Sequence, residues 1–220
     1  MRRLAPLVAL AVSAVACGAS SGASKPYAPI SSLGQLQPAP YPGDPGPELV
    51  PIPNAPRLTS PVSKVRPGKT IDGIKCEFNP RLVFHVHAHL TVFVSGKPRR
   101  LPAGIGFWPP LGPQNYRHGQ FGVTADNCWA SLSTRYDDGL IHVESPVKRS
   151  FVLGELFDLW GQPLGRDAVG PASGAVTAIV NGKVWTGDPR RIPLAAHAQI
   201  QLEVGRPLVA PQTIEFPGAF

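Results

Sequence analysis

The stretch FHVHAHLTVFV, residues 84–94, alternates without a break. Phe84, Val86, Ala88, Leu90, Val92 and Val94 share one parity; His85, His87, His89, Thr91 and Phe93 share the other. A period of two over so long a run, rich in β-branched and aromatic side chains, predicts a strand and excludes an amphipathic helix. One face of it is apolar, and the other carries three of the chain's six histidines.

The rest of the C-terminal two-thirds agrees with a β-rich domain. GLIHVES (139–145) reads as a strand with Leu140, His142 and Glu144 on one face and Ile141 and Val143 on the other. GAVTAIVNGKVWTG (174–187) reads as two strands joined at Asn181-Gly182, a pair that accepts the positive φ angles of a tight hairpin. AQIQLEVG (198–205) closes the set, with Ile200, Leu202 and Val204 opposed to Gln199, Gln201 and Glu203. Only SFVLGELFDLWG changes period. Its Leu153, Leu156, Phe157 and Trp160 form one face of a short helix, Gly161 is placed to end it, and Gly154 weakens it. The expected fold class is therefore mostly β (α+β): an antiparallel sheet or sandwich-like domain with one short packed helix, over residues 70–217.

The N-terminal part has a different character. Met1-Arg2-Arg3 is followed by an apolar run from Leu4 to Ala16 and then Cys17. This is the pattern of an export signal, and the cysteine after Ala-Val-Ala predicts a lipoprotein signal over 1–16 with Cys17 lipidated. An ordinary cleaved signal is the alternative. Residues 17–69 are dense in Pro, Ser and Gly, which predicts an extended tether between membrane and domain, with some apolar residues lying along the domain. The expected location is outside the cytoplasm, on the periplasmic or cell-surface side, with the membrane as partner through the lipid anchor.

Loss of Arg2 and Arg3 would reduce the formal charge from +7 to +5. The remaining cations form no basic helix or aromatic-interleaved stripe, which argues against nucleic acid as a partner. Cys76 and Cys128 remain, and in an oxidising compartment they predict one disulfide; reduced thiols or metal ligation are the rivals.

Strand geometry frames the candidate site. Residues i and i+2 lie about 7 Å apart on one face, so two imidazoles can meet at a point only by tilting together, and further ligands must come from a neighbouring strand. His85, His87 and His142 form the preferred metal-ligand set, with His89 or His197 as a fourth ligand or a supporting group. A cofactor of zinc or copper suits such an imidazole set. Glu144 could ligate, orient a histidine or act as a base, and Asp137 is a second, weaker candidate base. The chain has no nucleophile elbow, phosphate loop or HExxH helix. Three functions stay open: a tethered transition-metal-binding protein, a metal-dependent hydrolase-like enzyme, and a binding or scaffold domain without metal.

The blocks FHVHAHLTVFVSGKPRRLPAGIG, DDGLIHVESP, FVLGELFDLWGQPL and GDPRRIPLAAHAQIQLEVG together resemble a family of exported bacterial proteins with no established activity. The resemblance covers most of residues 74–205. Its members often carry an LHTHD-like block ahead of a GIIH strand. This chain has LSTRY at 132–136, so Ser133 and Arg135 stand where the resemblance implies histidines. A metal centre in this chain would then differ in its ligands from that pattern.

Overall fold

The computed structural model describes residues 26–59, 63–109 and 128–218. Residues 1–16, expected to be an export signal, and Cys17 lie outside the described residues, as does His118. Eight strands build the main sheet: β1 (Tyr27–Ala28), β2 (Phe84–Val94), β3 (Lys97–Arg99), β4 (Leu132–Ser133), β5 (Leu140–Ser145), β6 (Val176–Val180), β7 (Lys183–Trp185) and β8 (Ala198–Val204). Their order across the sheet is β1-β7-β6-β8-β2-β5-β4, and β3 pairs with the far end of β2. All pairings are antiparallel except β8 with β2, which is parallel. The class expected from periodicity is the one observed: a β-dominated domain with one packed helix.

The histidine-bearing β2 is the long central strand. One of its edges pairs with β5 over Phe84–His89 and with β3 over Val92–Val94, while the other pairs with β8 over Ala88–Val94. The turns are those the residues demand. Asn181 and Gly182 take φ of 50° and 74° between β6 and β7, and Ser95 and Gly96 take 50° and 73° between β2 and β3.

The two faces of the sheet are covered differently. Ala88, Leu90, Val92, Ile141, Val143, Ile200 and Leu202 join the main apolar core together with helix α1 (Leu153–Trp160), which contributes Leu153, Leu156, Phe157 and Trp160. Glu155 accepts the Val152 backbone N–H at 2.8 Å and so satisfies one open donor at the helix start. Gly161 ends the helix at φ 81°. Gly154 has a specific cause: a Cβ there would lie 2.9 Å from the Arg190 carbonyl oxygen, so the close approach of the Pro189–Arg191 turn requires its absence.

The opposite face is polar yet buried. His87, His89, Thr91, Ser133, His142, Glu144, Gln201 and Glu203 all lie there, each no more than 6% exposed. What covers them is irregular backbone from both ends of the chain. Gln37 bridges to Val209, Gln212 donates to the Pro40 carbonyl, and Gln199 and Gln201 exchange hydrogen bonds with the backbone at Ile214, Val209 and Gln212. Glu203 accepts the Val209 N–H at 2.8 Å. A Pro-rich covering layer has backbone groups that no ladder satisfies, and the polar face supplies the partners.

This layer departs from the tether expected over residues 17–69. Its described part, 26–59, contributes β1 to the sheet, buries Val50 completely, and inserts Arg57 against Asp137 at 2.6 Å. Proline favoured an extended chain, as anticipated, but the extended chain lies on the domain because the polar sheet face needs covering.

Cys76 and Cys128 are joined, with Cα atoms 5.3 Å apart. The bond ties the approach to β2 to the segment that leads into β4. Closing a loop over a separation of 52 residues lowers the entropy of the unfolded chain by an amount worth roughly 4 kcal/mol. Replacing both cysteines with serine should therefore lower unfolding free energy by about 2–5 kcal/mol in urea titrations, and adding reductant should then change nothing further in that variant.

Candidate metal centre

Strand parity places His85 and His87 on the polar face of β2, and the β2–β5 register sets His142 directly opposite His87 and Glu144 opposite His85. The rings do tilt together. His85 Nε2 is 3.1 Å from His87 Nε2, and His87 Nε2 is 3.1 Å from His142 Nδ1. The ring planes meet at 62° and 85°, so the contacts are edge-on and not stacked. One nitrogen from each of the three rings lies within 4.8 Å of both others. For ligands about 2.05 Å from a tetrahedral ion, neighbouring nitrogens stand about 3.3 Å apart. The two measured edges lie close to that value. His85, His87 and His142 thus form a cluster able to coordinate a metal ion.

The protonation states suit such a role. Burial, then the neighbouring His142 and His85 rings and Arg135, pull His87 down to about 3. Burial, then the Arg135 charge, does the same to His142, also to about 3. Both are neutral at pH 7, and neutral imidazole is the ligating form. Three neutral rings by themselves cannot meet every one of these contacts. His87 Nε2 faces two ring nitrogens, yet it has either one proton to donate or one lone pair to accept with. Neutral rings can satisfy one of its two contacts, and a cation among the three nitrogens satisfies both.

Carboxylates and a guanidinium surround the cluster. Glu144 Oε1 lies 2.6 Å from Arg135 Nη2 and 3.4 Å from His85 Nε2. Glu48, from the Pro-rich layer, sets its oxygens 3.1 and 3.3 Å from His142 Nε2, and Arg135 Nη1 is 4.0 Å from it. Burial pushes the Glu48 carboxyl up to about 7, with Arg135 opposing. Ser133 pairs with His142 in register, is fully buried, and its hydroxyl has no hydrogen-bond partner among the described residues. His85 is the opening to solvent, with its side chain 47% exposed.

The other sequence candidates lie elsewhere. His89 shares the face, but Leu140 stands opposite it; its Nε2 is 2.8 Å from the Asp138 carbonyl and its Nδ1 3.4 Å from Thr91 Oγ1. His197 is exposed, donates its backbone N–H to the His87 carbonyl and stacks its ring on Phe216 at 4.7 Å. Neither joins the three nitrogens. Asp137 is committed to Arg57, to Arg100 at 3.4 Å and to the Ala103 N–H at 2.9 Å, the contacts of a clamp and not of a base. Glu48 was missed by sequence reasoning; the available signal was that it is one of only two acids, with Asp44, in residues 18–68.

No family model, curated protein or solved structure matches the chain.

Asp138 is a separate buried acid beside this face. Its Oδ1 accepts the Leu140 N–H at 2.9 Å, its Oδ2 is buried without a partner among the described residues, and burial pushes it up to about 8. The folded chain therefore holds a proton there that the unfolded chain, at about 3.9, gives up. Its contribution is fully present below about pH 4 and is lost as pH rises through about 8. His89, pulled down to about 4 by burial, acts in the opposite sense as pH falls from about 6.5. Comparing wild type with Asp138→Asn isolates the acid. The variant should gain thermal stability relative to wild type as pH is raised from about 4 to about 8, and a difference constant across that range would refute the assignment.

Proposed function

We propose that this chain is an extracytoplasmic, lipid-anchored protein that binds a transition metal, zinc or copper, through His85, His87 and His142. The observation that carries the metal reading is the double contact of His87 Nε2, 3.1 Å from each of two other ring nitrogens in a buried setting. Three imidazole donors suit zinc and copper alike. The pairing of Glu144 with Arg135 at 2.6 Å favours binding over hydrolysis, because that carboxylate is held by a cation instead of facing a bound water. Export and anchoring rest on Arg2, Arg3, the apolar run to Ala16, and Cys17. No helix among the described residues is long and apolar enough to cross a membrane.

Metal analysis of the chain purified from its own membrane fraction should find close to one zinc or copper ion per molecule, and His85→Ala/His87→Ala should remove it. Equal trace metal in both preparations would sink the reading. Anchoring has its own check: Cys17→Ser should move the chain from the detergent phase to the aqueous phase on partitioning.

A further inference from the structure

Glu48 has a setting that ion pairing does not explain. Its side chain is 8% exposed, and a carboxylate taken out of water needs strong compensation. Its nearest guanidinium nitrogen is 4.0 Å away, whereas His142 Nε2 is at 3.1 Å. Arg135 itself is engaged more closely by Glu144, at 2.6 Å. The principal partner of Glu48 is therefore the ring nitrogen of His142 that does not face the cluster. His142 Nδ1 is the atom that faces His87, so Nε2 is left to carry the proton and to donate it to Glu48.

The backbone around Glu48 is built to hold it there. Gly46 to Leu49 form a tight turn closed by the Leu49 N–H on the Gly46 carbonyl at 2.9 Å, and the Gly46 N–H reaches the Val50 carbonyl at 2.8 Å. Pro47 fixes its own φ at the start of that turn. Leu49 sits at φ 60°, a left-handed conformation unfavourable for a leucine, and the residue is 68% exposed. Beside it Val50 is fully buried and anchors the turn, and the ladder Asp44–Pro45 with Pro51–Ile52 closes it. Leu49 gains no burial from its conformation. What the conformation achieves is Val50 inward and Glu48 onto His142.

We infer that Glu48 is the positioning carboxylate of the metal centre: it fixes the orientation and tautomer of His142 so that Nδ1 presents its lone pair to the ion, which makes the Pro-rich N-terminal layer part of the site. This rests on the metal reading above. A metal on Nδ1 draws electron density from the ring and strengthens the Nε2–H donor, while the carboxylate returns density and makes Nδ1 a better ligand. The buried acid and the ion thereby support one another through a single imidazole.

The experiment uses the mature chain in detergent, with wild type, Glu48→Gln and Glu48→Ala. Zinc dissociation constants come from competition with a chelating dye, and the copper-loaded forms are compared by electron paramagnetic resonance. Glu48→Ala should weaken zinc by about 10–100-fold, Glu48→Gln less, and both should shift the copper spectrum, because His142 ligates in a different orientation or not at all. Thermal unfolding in excess chelator separates a folding defect from a ligand defect; loss of affinity that tracks loss of apo stability, with the copper spectrum unmoved, overturns the inference. Wild-type affinity and spectrum in both variants overturn it too, while leaving the three-histidine site standing. A wild-type chain that binds neither zinc nor copper removes the metal reading and this inference together.

Discussion

The antiparallel register between β2 and β5 governs whether this chain has a centre of any kind. His87 faces His142 because Phe84 is paired with Ser145 and every later pair follows from that start. Side chains alternate faces along a strand, so a slip of one residue would put Val86 or Ala88 opposite His142 and turn the histidines of one strand away from those of the other. The register is protected by the opposite face. Ala88, Ile141 and Val143 sit in the core with Leu156 and Phe157 of the helix, and the same slip would drive imidazoles into that core. Apolar packing on one side thus fixes, to within one residue, the polar geometry on the other.

A sheet of this kind usually leaves its polar face to water. Here most of the face is buried, and the cover is irregular backbone laid across it from both ends of the described chain. Gln199, Gln201 and Glu203 act as side-chain substitutes for a neighbouring strand, binding N–H and carbonyl groups of residues 209–214. Arg57 and Arg100, brought together at an isolated bridge, close on Asp137 and fasten the N-terminal layer near the mouth of the turn at Gly139. Gly139 itself is obligatory: at φ 82° a Cβ would fall 2.4 Å from the Leu90 carbonyl oxygen. That cover matters for the histidines, since burial is the first cause of the low proton affinity of His87 and His142. A layer expected to be mainly a tether thus helps bury two of the three rings and keep them neutral.

Much of this was legible in the sequence because period carries it. The parity of residues 84–94, the strand at 140–145, the hairpin at Asn181-Gly182 and the short helix all followed from spacing, and so did His85, His87 and His142 as one set. The pairing of Cys76 with Cys128 followed from their count and from the compartment the sequence leads one to expect. What spacing could not supply was contact between distant segments. Glu48 and His142 are 94 residues apart, and nothing periodic links a Pro-rich run to a strand. His89 failed for a related reason: parity gave its face, but only the register shows that its opposite number is Leu140 and not a second histidine. Burial was also invisible. An alternating polar face reads as solvent-facing unless one knows where the termini go.

Ser133 and Arg135 bear on what kind of centre this is. The register runs His87, His142, Ser133 across three adjacent strands, so position 133 stands in the same row as two of the clustered histidines and offers a hydroxyl that nothing in the described chain engages. A buried hydroxyl without a partner is costly, and a hydrogen-bonding group held beside the cluster would relieve it. Arg135 contributes the opposite influence. Its charge lowers the proton affinity of both buried histidines and would equally oppose a dication, were it not set between Glu144 and Glu48. Glu144 pairs with that guanidinium on one side and Glu48 approaches it on the other, so acids stand beside the cluster where a dication in a buried place would need compensation. Among the described residues, serine and arginine at positions 133 and 135 leave three ring nitrogens together, with His85 at the edge that faces solvent.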